Sequence, residues 1–129
     1  MSGQVEISFA RSCDETAIID FLRHHWRSDH IFVTHPELMR WQHESPSHPG
    51  ELNFVIARLG EPGGELLGLL GFIPFTRFDS SARWSELSLA IWKVRDDAGV
   101  PGLGLQLLNA IKNRFKPSLI SAVGISQVE

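Results

Sequence analysis

The sequence contains no tyrosine, one cysteine, and no run of about 18 apolar residues of the kind that crosses a bilayer as a helix. With Cys13 alone, neither an intrachain disulfide nor a multi-cysteine metal site can form. Twelve Lys and Arg are spread along a chain of net charge -3, so no basic block marks a nucleic-acid surface. The N-terminus lacks a basic-plus-apolar signal segment. These absences predict a soluble, cytoplasmic protein with neither membrane nor nucleic acid as partner. The histidines His24, His25, His30, His35, His43 and His48 do not add up to a metal site. His24 and His25 point to different sides of a helix, and no Asp or Glu stands at a zincin spacing, so no metal is expected. At 129 residues the chain fits a single domain that buries about two-thirds of its unfolded surface.

What is present is organised around residues 84–115. Trp84 to Val94 alternates, with Leu87, Leu89 and Ile91 on one side and Glu86, Ser88 and Ala90 on the other, which predicts a strand. Leu103, Leu107, Leu108, Ala110, Ile111 and Phe115 share one arc of a helical wheel, which predicts an amphipathic helix. Between the two, Gly99, Gly102 and Gly104 straddle the point where the helix must begin. The first amides of a helix have no intrahelical partner and carry the positive end of its dipole, so a glycine-rich turn there suits an anion. No Lys, Ser or Thr follows Gly104 directly, which excludes a triphosphate P-loop, and Leu107 stands where a dinucleotide fingerprint needs its third glycine. A Gly-x-Gly pair by itself serves equally well to turn a chain.

Before this segment, Val5 to Phe9 alternates as a strand, and Ser12-Cys-Asp-Glu15 fits a capping box for a helix that buries Ile18, Ile19, Phe21, Leu22, His25 and Trp26. Thr34-His-Pro-Glu37 is a second capping-box candidate, with Pro36 in the first turn of a short helix carrying Leu38, Met39 and Trp41. Trp26 and Trp41 are expected in the core. Residues 44–50 read as a loop. Leu52–Ala57 and Glu65–Ile73 read as strands of an antiparallel hairpin, and Gly68 and Gly71 mark a bulge or a close approach in the second. A connection from Phe75 to Arg83 turns at Asp79-Ser-Ser. Pro117 ends the long helix, and Leu119–Ile125 is a last strand free to run parallel to the organising one. The order β-α-α-β-β-β-α-β describes an α/β domain with a mixed sheet.

Val94, then Gly99, then Gly102-Leu-Gly104, following a strand and opening a helix, resembles the acyl-CoA loop of the GCN5-related N-acetyltransferase (GNAT) family, and the element order over roughly residues 5–126 resembles it too. In that family the loop reads Gln/Arg-x-x-Gly-x-Gly/Ala. Here Gly99 stands for the Gln or Arg and Val100 for a common glycine. The resemblance implies an acetyltransferase with acetyl-CoA as co-substrate. Trp92, Lys93 and Val94 would bond the pantetheine through main chain, while Gly99, Val100, Pro101, Gly102, Leu103 and Gly104 would hold the pyrophosphate. Asp29-His30-Ile, Trp41-Gln, Leu52-Asn-Phe, Gly71-Phe-Ile-Pro74 and Trp92-Lys-Val94 resemble a subgroup found beside bacterial surface-polysaccharide genes, which implies a sugar or sugar nucleotide as acceptor.

Acetyl transfer also needs a route for the acceptor's proton. Glu86, beside small Ser88 and Ala90, is the candidate base, or else a solvated or ion-paired glutamate. His30 is a candidate for touching the acceptor or serving as base, or else a polar loop histidine. The family's usual proton donor is a tyrosine on a helix after the fifth strand. The chain has no tyrosine and runs four residues past Ile125, so the resemblance implies an N-terminal portion, with the rest supplied by a longer chain or a second copy. A fifth strand with a free edge also predicts a homodimer or poor solubility. The rival reading is a non-catalytic binding or scaffolding module that keeps the fold.

Overall fold

In this computed structural model, which describes residues 5–45, 48–60, 64–77 and 86–122, five strands form one sheet in sequence order. Strands β1 (Val5–Arg11), β2 (Glu51–Leu59), β3 (Leu66–Pro74) and β4 (Glu86–Val94) pair antiparallel in succession, and β5 (Leu119–Ala122) joins β4 in parallel. The parallel pairing follows from α4 (Leu103–Phe115), which carries the chain back over the sheet between them. Residues 61–63 of the hairpin loop, 78–85 with the Asp79 turn and Trp84, Pro46 and Ser47, and residues 123–125 of the last strand lie outside the described residues.

Alternation along the strands feeds two cores, one on each face. On one face α1 (Glu15–His25), α2 (Ile31–Thr34) and α3 (Pro36–His43) bury Ile18, Phe21, Leu22, Phe32 and Met39 against Leu52, Phe54, Ile56 and Leu69. On the other, Leu103, Leu107 and Ile111 of α4 pack on Val55, Leu70, Phe72, Leu87 and Leu89. Each such leucine is worth roughly 2 kcal/mol over an exposed one. The far end of α4 is held by Phe9, Phe72 and Phe115, whose ring centroids lie 5.3–6.1 Å apart. Arg114 lies 4.4 Å over the Phe9 ring and pairs with Glu51 at 3.1 Å. The helix is therefore anchored at its C-terminal end, which fixes where its first turn lies.

The glycines of β3 behave as expected. Leu67 is an extra residue between the Ala57–Gly68 and Arg58–Leu66 pairs, and a Cβ on Gly68 would sit 3.2 Å from the Lys93 carbonyl oxygen. At Gly71 the close neighbours are side chains: a Cβ would meet Phe54 at 2.8 Å and His43 at 3.0 Å.

Five expectations need correction. Ser12 and Glu15 form no capping box. Residues 12–14 make a 3-10 turn in which the Asp14 carboxylate accepts from the Arg11 amide at 2.8 Å and pairs with Arg58 at 2.9 Å, while Glu15 is drawn to Arg40. Nor does Thr34 cap α3. Its hydroxyl turns back to the Ile31 carbonyl at 3.3 Å, and His35 takes the cap position before Pro36. Residues 28–33, expected only to join the first helix to Thr34, contribute Ile31 to Val33 to a helical turn that Thr34 completes. Trp41 is 55% exposed, because the buried arc of α3 runs through Met39 and His43. The alternation of β4 breaks at Ala90, so Ile91 joins Ala90 on the α1 face, away from Leu87 and Leu89.

Candidate functional site

The break in β4 sets up the site. Leu89 pairs with Phe72 and Ile91 with the adjacent Gly71, so Ala90 is one residue too many, and beyond it the strand is turned over. Trp92 and Val94 consequently face α4, and Lys93 faces the other way, 3.8 Å from Asp96. Trp92 lies directly under the first turn of α4, where a Cβ on Gly104 would come within 3.3 Å of the indole Nε1. Glycine lets the helix start this close to the strand it leaves without displacing the indole.

The loop between them is shaped in two steps. The Arg95 amide donates to the Leu67 carbonyl at 2.8 Å, which prolongs the β3–β4 ladder by one bond, and the Ala98 amide donates back to Arg95 at 3.2 Å. Gly99 then takes φ 70° and Gly102 φ 74°, ψ 12°, left-handed conformations that cost a residue with a Cβ about 1–2 kcal/mol. The space beside both is open, with nothing within 4 Å of a Cβ placed on either. Val100 and Leu103 turn inward and anchor the loop in the α4-side core, with Leu103 fully buried.

Gly102 caps α4. The Leu103 amide reaches Val100 at 3.2 Å and the Gln106 amide reaches Gly102 at 3.0 Å. Among the described residues, the amides of Gly102, Gly104 and Leu105 donate to no main-chain carbonyl, no side chain caps the helix, and no acid occupies its first turn. Three unspent donors, the positive end of a 13-residue helix and an open approach are the features that suit a helix start to an anion. Of the nine residues predicted to hold a cofactor, the structure brings Trp92, Val94, Val100, Leu103 and Gly104 into one packed group, with Gly99, Pro101 and Gly102 on its exposed rim. Lys93 stands apart on the opposite face.

Two carboxylates that sequence reasoning passed over, Asp97 of the same loop and Glu65 at the entry to β3, meet at Arg95. Asp97 grips Arg95 through both oxygens, at 2.8 Å to Nε and 2.9 Å to a terminal nitrogen, and Glu65 takes the other terminal nitrogen at 2.7 Å. Hydrogen bonding to Asp97 and then to Glu65 raises the Arg95 pKa, and Arg95 in turn lowers that of Asp97. On the α1 face, Arg95, Glu65 and Leu66 border a cleft of about 510 Å³ completed by Ala17, Asp20, Phe21, His24 and His25.

The two proton-transfer candidates lie elsewhere. Glu86, at the start of β4, is half-buried and in register with Leu119 of β5. His30 caps α2: its Nδ1 accepts the Phe32 amide at 3.0 Å, and its ring sits between Trp26 and Phe32 at 5.5 and 5.2 Å. Burial, helped by Arg27 and opposed by Asp29, lowers the His30 pKa. No bond joins it to Glu86. His43 is fully buried between Phe32 and Phe54, and among the described residues neither ring nitrogen has a hydrogen-bond partner. Burial pushes its pKa down to about 4, partly offset by the main chain of Asn53 and Phe72. Its place four residues beyond Met39 on α3 was the available signal for its burial.

Among the described residues no group of three or more His, Cys, Asp or Glu could hold a metal, and no helix is long and apolar enough to cross a membrane.

No family model and no curated protein matches the sequence. Solved structures do match the fold. Aminoglycoside N-acetyltransferase AAC(6')-Iy, in complex with CoA, is 14% identical and superposes with a TM-score of 0.63 over 100% of this chain and 92% of that one. Ribosomal-protein-alanine N-acetyltransferase from Brucella melitensis biovar Abortus 2308 is 12% identical, with a TM-score of 0.56 over 97% of this chain and 82% of that one. Diaminobutyrate acetyltransferase from Paenibacillus lautus, in complex with L-2,4-diaminobutyric acid and coenzyme A, is 14% identical, with a TM-score of 0.52 over 87% of this chain. The chain spans 58% of that enzyme's length. At these identities the likeness is one of fold. Among the described residues the chain has a mixed α/β fold with one five-stranded sheet, the fold of these solved acetyltransferases.

Proposed function

We propose that this chain is an acyl-CoA-dependent acetyltransferase domain that passes an acetyl group to an amine or hydroxyl of a small acceptor. The observation that carries the reading is the open left-handed turn at Gly99 and Gly102, with unspent amides at Gly102, Gly104 and Leu105. These residues fit the pyrophosphate of a coenzyme A, because a Cβ at either positive-φ glycine would project into the space the phosphates need. The solved neighbours that carry CoA support the same co-substrate. Bound there, acetyl-CoA would supply an acyl group on a thioester whose thiolate departs.

The chain's own residues then have distinct tasks. The main chain of Trp92 and Val94 lines the strand end that leads from the loop, and Trp92 sets the floor of the helix turn. Glu86 is the proposed base. A carboxylate has lone pairs free for an ammonium proton, whereas the lone pair of His30 Nδ1 is spent on the Phe32 amide. In its neutral form His30 carries the proton on Nε2, so its proposed task is to donate a hydrogen bond to the acceptor. The segments that resemble polysaccharide-linked enzymes make an amino sugar or sugar nucleotide the acceptor to test first. A diamine and an aminoglycoside, the acceptor types of the neighbours, come beside it.

A second reading, binding without transfer, is favoured by the lack of any tyrosine to donate a proton to the leaving thiolate. Calorimetry with CoA and acetyl-CoA, followed by a thiol-release assay over the three acceptor types, separates the two. Saturable heat with release supports transfer, saturable heat without release supports binding alone, and no heat at millimolar ligand removes both.

A further inference from the structure

The Arg95 side chain is 17% exposed and makes three hydrogen bonds to two carboxylates that belong to different parts of the chain. Glu65 comes from the entry to β3, where its carbonyl accepts the Leu59 amide at 3.1 Å and so belongs to the framework of the β2–β3 hairpin. Asp97 comes from the loop itself, two residues before Gly99. The guanidinium thus bridges a strand end and a glycine-rich loop, with planar two-pronged geometry toward Asp97 that a lysine cannot copy.

From this geometry we infer that Arg95 is a positioning residue for the anion-binding turn: it pins Asp97 to the β2–β3 hairpin, holds residues 95–98 in a closed turn, and so presents Gly99 and Gly102 in their left-handed conformations before any ligand arrives. The inference rests on the proposed acetyl-CoA site. Two further observations support it. The Arg95 main chain is itself bonded at both ends, to Leu67 and from Ala98, so side chain and backbone restrain the same turn. The guanidinium also offsets part of the negative charge that Asp97 and Glu65 together place beside the loop. A loop held in its binding conformation spares the ligand the entropy of ordering it, and loss of the restraint raises the dissociation constant without touching the reacting atoms.

The test uses the whole chain with CoA as probe. Calorimetry is run on wild type, Arg95→Lys, Arg95→Ala, Asp97→Asn and the Arg95→Ala/Asp97→Asn double variant. The heteronuclear NOE of the Gly99 and Gly102 amides is measured in each ligand-free protein. The expected result is CoA binding weakened on the order of tenfold in Arg95→Ala and less in Arg95→Lys. The double variant should be no weaker than Arg95→Ala, and the NOE of both glycines should fall in step with affinity. If Arg95→Ala fails to fold, Arg95→Lys and Asp97→Asn carry the comparison. Unchanged NOE and affinity in the variants, with wild type binding CoA, overturn the role of Arg95 alone. Wild type that binds no CoA overturns the site and this inference together.

Discussion

Trp92 and Gly104 meet across the junction where β4 hands over to α4, the indole Nε1 lying 3.3 Å from where a Cβ on the glycine would be. The contact joins the last α4-facing stretch of the strand to the second residue of the helix, so the distance between sheet and helix start is set by two side chains, one of them a hydrogen. Gly104→Ala requires the indole to give by a few tenths of an ångström. The gain in helix propensity, up to about 1 kcal/mol, offsets that shift, so its melting temperature should stay near wild type. Gly104→Val brings branches into the ring and should cost roughly 1–3 kcal/mol, with weaker CoA binding. Thermal denaturation and calorimetry of the pair check this. Equal stability of the two variants would show that Trp92 does not limit the approach.

At Gly102 the constraint is backbone, not space. Gly102→Ala should lose about 1–2 kcal/mol and Gly102→Asn less, because asparagine tolerates the left-handed region. Gly102→Glu should in addition eliminate CoA binding by placing a carboxylate among amides that await phosphate. Denaturant midpoints rank the first two, and a CoA titration of the third decides whether the turn is an anion site.

His43 makes stability depend on pH. In the folded protein its pKa is depressed to about 4, while the unfolded chain titrates near the ordinary value of about 6.5. Below about pH 6.5 the unfolded state takes up a proton that the native state refuses. Stability therefore falls as pH falls, by up to about 3 kcal/mol at pH 4, and levels off below it. His43→Leu should flatten that part of the profile, and it also removes two buried nitrogens without partners. Urea denaturation of both proteins from pH 7 to 4 measures the difference; parallel profiles would assign the acid sensitivity to other groups. Gly71→Ala adds a methyl 2.8 Å from Phe54 and 3.0 Å from His43 and should cost roughly 1–3 kcal/mol, part of it recovered when His43 is made smaller.

Much of this molecule was legible in its sequence. Alternation located β1 and β4, apolar runs between glycine and proline signals located β2, β3 and β5, a 3.6 period located the long helix, and the register of Gly99, Gly102 and Gly104 marked the turn that the structure leaves open. Three kinds of feature were hidden. A cap depends on which donor lies nearest after folding: Ser12 fitted a capping box by spacing, yet Asp14 took the Arg11 amide because Arg58, 44 residues away, holds its other oxygen. The bridge from Arg95 to Glu65 spans 30 residues and exists only once β3 and β4 pair. Trp41 looked like core by type, but α3 is too short to bury two faces, and His43 won the inner one.

The extra residue at Ala90 has a further consequence. Were Ala90 to pair regularly instead of bulging, the parity of everything downstream would invert: Lys93 would be driven under the helix in place of Trp92, and an ammonium would enter an apolar layer. Deleting Ala90 would regularise the strand and leave Trp92 beneath the helix start, so the bulge and not the strand's length decides which side chain supports Gly104, 12 residues beyond Trp92 in sequence.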